Sequence, residues 1–191
     1  MTQHTTPRPE HTPAPERGTP SPWVCRFAAV LTPGARVLDL ACGSGRHAHW
    51  LAGRGYAVHA VDRDAAALAT LDGVPGVRTQ ALDLEGARWP LEGESFDAVV
   101  VTNYLFRPHF EALLALVRPG GVLIYETFML GNARFGKPSN PDFLLQPGEL
   151  LERVREGWSV LAFEQGEVSQ PRPAVVQRVC AVRGTSLPPL P

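Results

Sequence analysis

The chain has 191 residues, 44% of them hydrophobic, and a formal net charge of −1. That length suits one compact domain with short tails, and the apolar share is enough for a sizeable core. The balanced charge gives no field to draw the protein onto nucleic acid or a membrane surface. No apolar run is long enough to span a bilayer, and the N-terminus has no apolar signal core.

Residues 1–20 read as a disordered tail, with Pro7, Pro9, Pro13, Pro15 and Pro20 set among polar residues. His4 and His11 there are too isolated for a metal site. One domain is expected over residues 21–183, followed by a loose C-terminal tail, 184–191. Ser21-Pro22 has the pattern of a helix N-cap followed by proline at the first helical position. Trp23, Phe27, Ala28 and Leu31 follow at helical spacing, as a packing helix or as a lid that places Trp23 over a ligand. Val37, Leu38 and Leu40 supply the apolar run of a buried strand. Gly43-Ser44-Gly45 is a turn open to close backbone approach, and Ser44 is placed to cap the helix through Arg54. Ala57 to Asp62 is a second strand. Asp64 caps a helix whose Ala65, Leu68, Ala69 and Leu71 face the sheet. Val77 to Leu82 is a third strand, Phe96 to Val101 a fourth, and Val122 to Glu126 a fifth. Phe110, Leu113, Leu114 and Val117 mark the helix before it. Gln146-Pro147 opens a short helix through Val154. Trp158 to Glu164 and Val175 to Val182 are two strands with no helix between them, so they pair antiparallel. The fold class is α/β: a doubly wound, mostly parallel seven-stranded sheet with a C-terminal antiparallel hairpin.

Asp39 is the anomaly. A carboxylate inside a central strand is covered on both faces, and a buried charge is costly without a partner. A bound cofactor and the neighbouring turn would supply one. Beyond the carboxyl ends of such strands lie ligand sites, and this chain places the glycine turn, Asp62, Asp83 and Asn103 there. Asp62 lies 17 residues after Gly45, near the spacing at which an acid reaches a ribose diol. Cys25, Cys42 and Cys180 have no metal-ligand spacing, which fits reduced thiols and a cytoplasmic protein. No metal is expected.

Asp39-Leu40-Ala41-Cys42-Gly43-Ser44-Gly45 resembles the first motif of class I S-adenosylmethionine-dependent methyltransferases, with Ala41 where many members carry glycine. Asp62-Arg63 is similar to the family's second strand end, Asp83-Leu84 to its adenine-side motif, Phe96 to Val100 to its fourth strand, and Arg118 to Leu123 to the turn before its fifth. The resemblance covers residues 35–127. It implies S-adenosyl-L-methionine as cofactor. The Gly43 to Gly45 turn, with Asp39, would hold the methionine moiety, Asp62 the ribose hydroxyls, and Asp83 with Leu84 the adenine, with Ala41 and Arg63 as further cofactor-binding candidates. Thr102 would line the site near the methyl, beside the catalytic candidates Asn103 and Tyr104.

The acceptor is read as a small molecule, as in the tellurite-resistance-like branch the compact build resembles. Asn103-Tyr104-Leu105 is not the Asn-Pro-Pro-Tyr type of amino-group methyltransferases. The long connection from Phe128 to Gln146 favours a functional loop, and its Arg134 and Lys137 are candidates to meet an anionic or flat acceptor. The rival readings are an NAD(P)-dependent oxidoreductase, which shares the glycine turn and Asp62, and a cofactor-binding module without turnover.

Overall fold

The computed structural model describes residues 18–191. The expected tail lies outside the described residues up to position 17, including His4 and His11. Seven strands form one sheet: β1 (Arg36–Leu40), β2 (Ala57–Asp62), β3 (Val77–Ala81), β4 (Phe96–Thr102), β5 (Val117–Phe128), β6 (Trp158–Val168) and β7 (Ala174–Arg183), in the spatial order β3-β2-β1-β4-β5-β7-β6. The first five are parallel, and β7 runs antiparallel to both β5 and β6. Strand order reverses at β1, which lies between β2 and β4. The crevice for a ligand therefore opens at the carboxyl ends of β1 and β4.

Among the described residues five helices cover the sheet: α1 (Pro22–Phe27), α2 (Arg46–Ala52), α3 (Ala65–Leu68), α4 (Phe110–Ala115) and α5 (Glu149–Arg153). Side chains alternate along each strand, so each face builds its own core. On one face Val37, Ala60, Val100 and Ile124 meet Phe27 of α1, Leu51 of α2 and Leu68 of α3. On the other, Leu38, Leu40, Val99 and Leu123 meet Phe110 and Leu113 of α4 and Leu150 of α5. Each fully buried Leu or Phe contributes about 1.5–3 kcal/mol.

Three local expectations are corrected. Ser44 does not cap α2: the cap position is Gly45, in the left-handed region with no side-chain bond, and the Ser44 carbonyl accepts from Thr70 Oγ1 at 2.8 Å. Ala65 and Ala69 are exposed, leaving Leu68 and Leu71 to face the sheet. Trp23 is 3% exposed and its indole N–H donates to the Val179 carbonyl at 3.4 Å, so it belongs to the core and is not a cover over the crevice. Ser21 and Asp64 do cap α1 and α3. The final hairpin is longer than its apolar residues suggest, because β6 runs on through half-exposed residues to Val168. Beyond Arg183 the described chain forms neither helix nor strand.

Candidate active site

Asp39 points from β1 onto the first turn of α2. It is 1% exposed, and its Oδ2 accepts from the Ala48 amide at 2.9 Å. Its Oδ1 is buried with no hydrogen-bond partner. Burial pushes the carboxyl up to about 7; the Ala48 amide and the nearby Arg46 charge oppose this, and the Asp62 charge adds to it. A buried acceptor left open beside a glycine turn fits an incoming cation or donor. The amino-acid end of the cofactor that the sequence resemblance implies is such a group.

The turn itself is built for close approach. Ala41, Gly43 and Gly45 all have positive φ, at 55°, 56° and 73°. A Cβ on Gly43 would meet nothing within 4 Å, so that glycine faces open space. Asp62 braces the turn: its Oδ2 accepts from the Gly43 amide at 2.7 Å and its Oδ1 from the Asp64 amide at 3.0 Å. A carboxylate has about four lone-pair positions, so Asp62 keeps room for two hydroxyls. Arg63 is exposed and pairs with Glu85 at 3.8 Å. Asp83 is exposed and accepts from the Glu85 amide at 3.0 Å, while Leu84 is buried. The strand ends therefore bring Asp39, Asp62 and the Asp83-Leu84 pair to one edge, in the order the sequence implies.

Loss of Asp62 tests this edge. Asp62→Ala frees two amides and removes the acceptor for a diol. Affinity for S-adenosylhomocysteine should fall by about 1–3 kcal/mol. Isothermal titration with an unchanged Kd would take Asp62 out of the site.

Around the end of β4, sequence reasoning missed a network. His47 is buried. Its Nε2 accepts the Ser21 amide at 3.0 Å, and its Nδ1 lies 3.5 Å from Thr102 Oγ1. Burial and the Arg46 charge pull the imidazole down to about 3, so it stays neutral. The Ser21 hydroxyl donates to Glu126 Oε1 at 2.8 Å, and Arg178 donates to Glu126 Oε2 at 3.0 Å. This ties the start of α1 to α2, β4, β5 and β7. The hairpin register, visible only in the fold, sets Arg178 opposite both Glu126 and Glu164.

Asn103 is exposed with φ 55° and lines a cavity of about 770 Å³. Its lining includes Arg46, Glu126, Phe128, Val176 and Arg178. Tyr104 turns the other way. Its hydroxyl donates to the Leu84 carbonyl at 3.4 Å, and its own carbonyl accepts from Tyr125 at 2.7 Å. Burial raises both phenols, so neither gives up its proton near neutrality. Of the loop candidates, Arg134 pairs with Glu167, which lines the cavity; Lys137 is exposed and not part of the lining. The loop is fastened from below. Arg107 donates to Glu149 and to the Asp142 and Leu144 carbonyls, and the buried Asn132 donates to the Pro138 carbonyl and accepts the Val175 amide.

A family model described as a methyltransferase domain matches residues 37–121, the span holding the glycine turn and the four strand ends. The tRNA U34 carboxymethyltransferase of Hahella chejuensis is 29% identical over 147 residues, covering 71% of this chain and 43% of its own length. The structure of TehB from Haemophilus influenzae aligns with TM-score 0.69 at 22% identity, over 85% of this chain and 61% of that one. One described as "Conversion of a Disulfide Bond into a Thioacetal Group during Echinomycin Biosynthesis" aligns with TM-score 0.66 at 24% identity, over 90% and 84%. The chain thus spans less than two thirds of the first two relatives. The family model lies across the site, and the solved structures share the sheet that positions it: residues 37–121 match a methyltransferase domain, and the chain has the fold of those structures.

Proposed function

We propose that this chain transfers a methyl group from S-adenosylmethionine to a small-molecule acceptor held in the cavity beside Asn103. The observation that carries the reading is the buried Asp39 with one open oxygen, next to a turn whose Gly43 faces free space. When bound, the cofactor supplies a sulfonium methyl whose C–S bond breaks to a neutral thioether as an acceptor electron pair bonds to carbon. The protein's part is alignment and removal of water. Asp39 and the turn fix the amino-acid end, Asp62 with Arg63 the ribose, and Asp83 with Leu84 the adenine. Thr102, oriented by neutral His47, and Asn103 face the methyl. Tyr104, with its raised phenol, serves as a wall and not as a base.

A nicotinamide dinucleotide would use the same glycine turn and Asp62, but it brings no ammonium group to the open Asp39 oxygen. The relative named for tRNA raises a nucleic-acid acceptor. The near-neutral net charge and a cavity within the size range of small-molecule sites favour a small acceptor instead. S-adenosylhomocysteine should raise the melting temperature and NADH should leave it unchanged in scanning fluorimetry. Stabilisation by NADH alone would reject the reading.

A further inference from the structure

We infer that the acceptor carries a carboxylate on an apolar body, with Arg172 holding the anion. The inference rests on the methyl-transfer reading and names the substrate class of that site. The cavity beside Asn103 has two acids, and both are already matched. Glu126 pairs with Arg178, which also pairs with Glu164, itself 4.0 Å from Arg26. Glu167 pairs with Arg134. Two lining cations, Arg46 and Arg172, have no acidic partner within 4.0 Å among the described residues. Arg46 opens α2 next to the glycine turn and donates to the Thr19 carbonyl at 3.4 Å, so it serves the cofactor end. Arg172 lies in the connection between β6 and β7, with its guanidinium 5.9 Å from the Phe128 ring. It stands between Pro171 and Pro173, whose fixed φ stiffens the connection.

The cavity lining therefore holds one cation, Arg172, that neither an acid nor the cofactor end accounts for. The same lining has an apolar wall of Phe128, Ala174 and Val176, all buried against one another. An inorganic oxyanion would satisfy Arg172 and leave that wall bare. A neutral apolar acceptor would leave the guanidinium unmatched. A guanidinium's planar fork suits a carboxylate.

The test is titration of the full chain, saturated with S-adenosylhomocysteine, with 3-phenylpropionate, 3-phenylpropionamide and selenite. The acid should bind at least tenfold more tightly than the amide. Arg172→Met should erase most of that preference while leaving amide binding and S-adenosylhomocysteine affinity as they were. Arg172→Lys, which keeps the charge, should retain part of it. Equal binding of acid and amide, no binding of either, or selenite binding as well as the acid would overturn the proposal. So would an acid preference that survives Arg172→Met. Failure of S-adenosylhomocysteine to bind at all would instead remove the methyl-transfer reading on which it stands.

Discussion

Asp39→Asn should make the free protein more stable at pH 8 and a weaker binder of its cofactor. The replacement keeps the shape and can keep the bond from the Ala48 amide, but it removes a buried charge. The folded state raises this carboxyl from 3.8 to about 7. A raised value means that the neutral form is the one folding favours. The favourable contribution is complete below about pH 4 and is lost as pH rises through 7. The full difference corresponds to about 4 kcal/mol. Even if water entering the turn relieves most of it, the variant should gain on the order of 1–2 kcal/mol at pH 8. For a chain of this size that is a rise in melting temperature of roughly 3–8 °C, shrinking as pH falls from 7 towards 4. Binding should move the opposite way. A charge-assisted hydrogen bond is worth about 1.5–3 kcal/mol, so affinity for S-adenosylhomocysteine should drop roughly tenfold to hundredfold. In the wild type, affinity should also weaken below pH 7, because the carboxyl must lose its proton to meet an ammonium group. In the variant that slope should flatten. Calorimetry across pH 5–8 measures both. A variant that loses stability at pH 8, or keeps its affinity, would show that Asp39 serves the fold alone.

The parallel half of this molecule was legible because its central strands β1, β2 and β4 are buried on both faces. Val37-Leu38, Val58 to Val61 and Val99 to Val101 leave no alternative to central strands. The acids that interrupt them at Asp39 or close them at Asp62 and Asp83 then stand out against that background. The acceptor side was not legible in the same way. Its walls come from the hairpin, and its charges are sorted by contacts between residues more than a hundred positions apart, as with Ser21 and Glu126. Sequence alone marks Arg134 and Lys137 as available cations. Only the folded register shows that Arg134 is matched by Glu167, and that Arg172 stands in the cavity without an acidic partner among the described residues. Ser44 misled for a local reason. A Ser between two glycines has the composition of a cap, but the left-handed conformation of Gly45 hands the cap position to the next residue.

That conformation also makes Gly45 a position where a small change should do great harm. Gly45→Ala is expected to destabilise the fold and empty the cofactor site together. A Cβ there would lie 2.4 Å from Leu71 Cδ1 and 2.6 Å from its Cγ, and Leu71 is buried in the turn after α3, so its side chain must shift within the core. Overpacking of this kind costs about 1–3 kcal/mol. The φ of 73° adds about 1–2 kcal/mol for a residue with a Cβ. The two components can be separated. With Leu71→Ala in place the clash is gone and only the backbone part remains, so the Gly45→Ala penalty in that background should fall by about half. A double-mutant cycle from urea unfolding reads the coupling directly. If the penalties simply add, Leu71 does not limit the turn. Gly43→Ala is the control, since its Cβ would meet no protein atom. It should disturb the fold less than Gly45→Ala yet still weaken S-adenosylhomocysteine binding, because the space its methyl would occupy is the space the ligand needs.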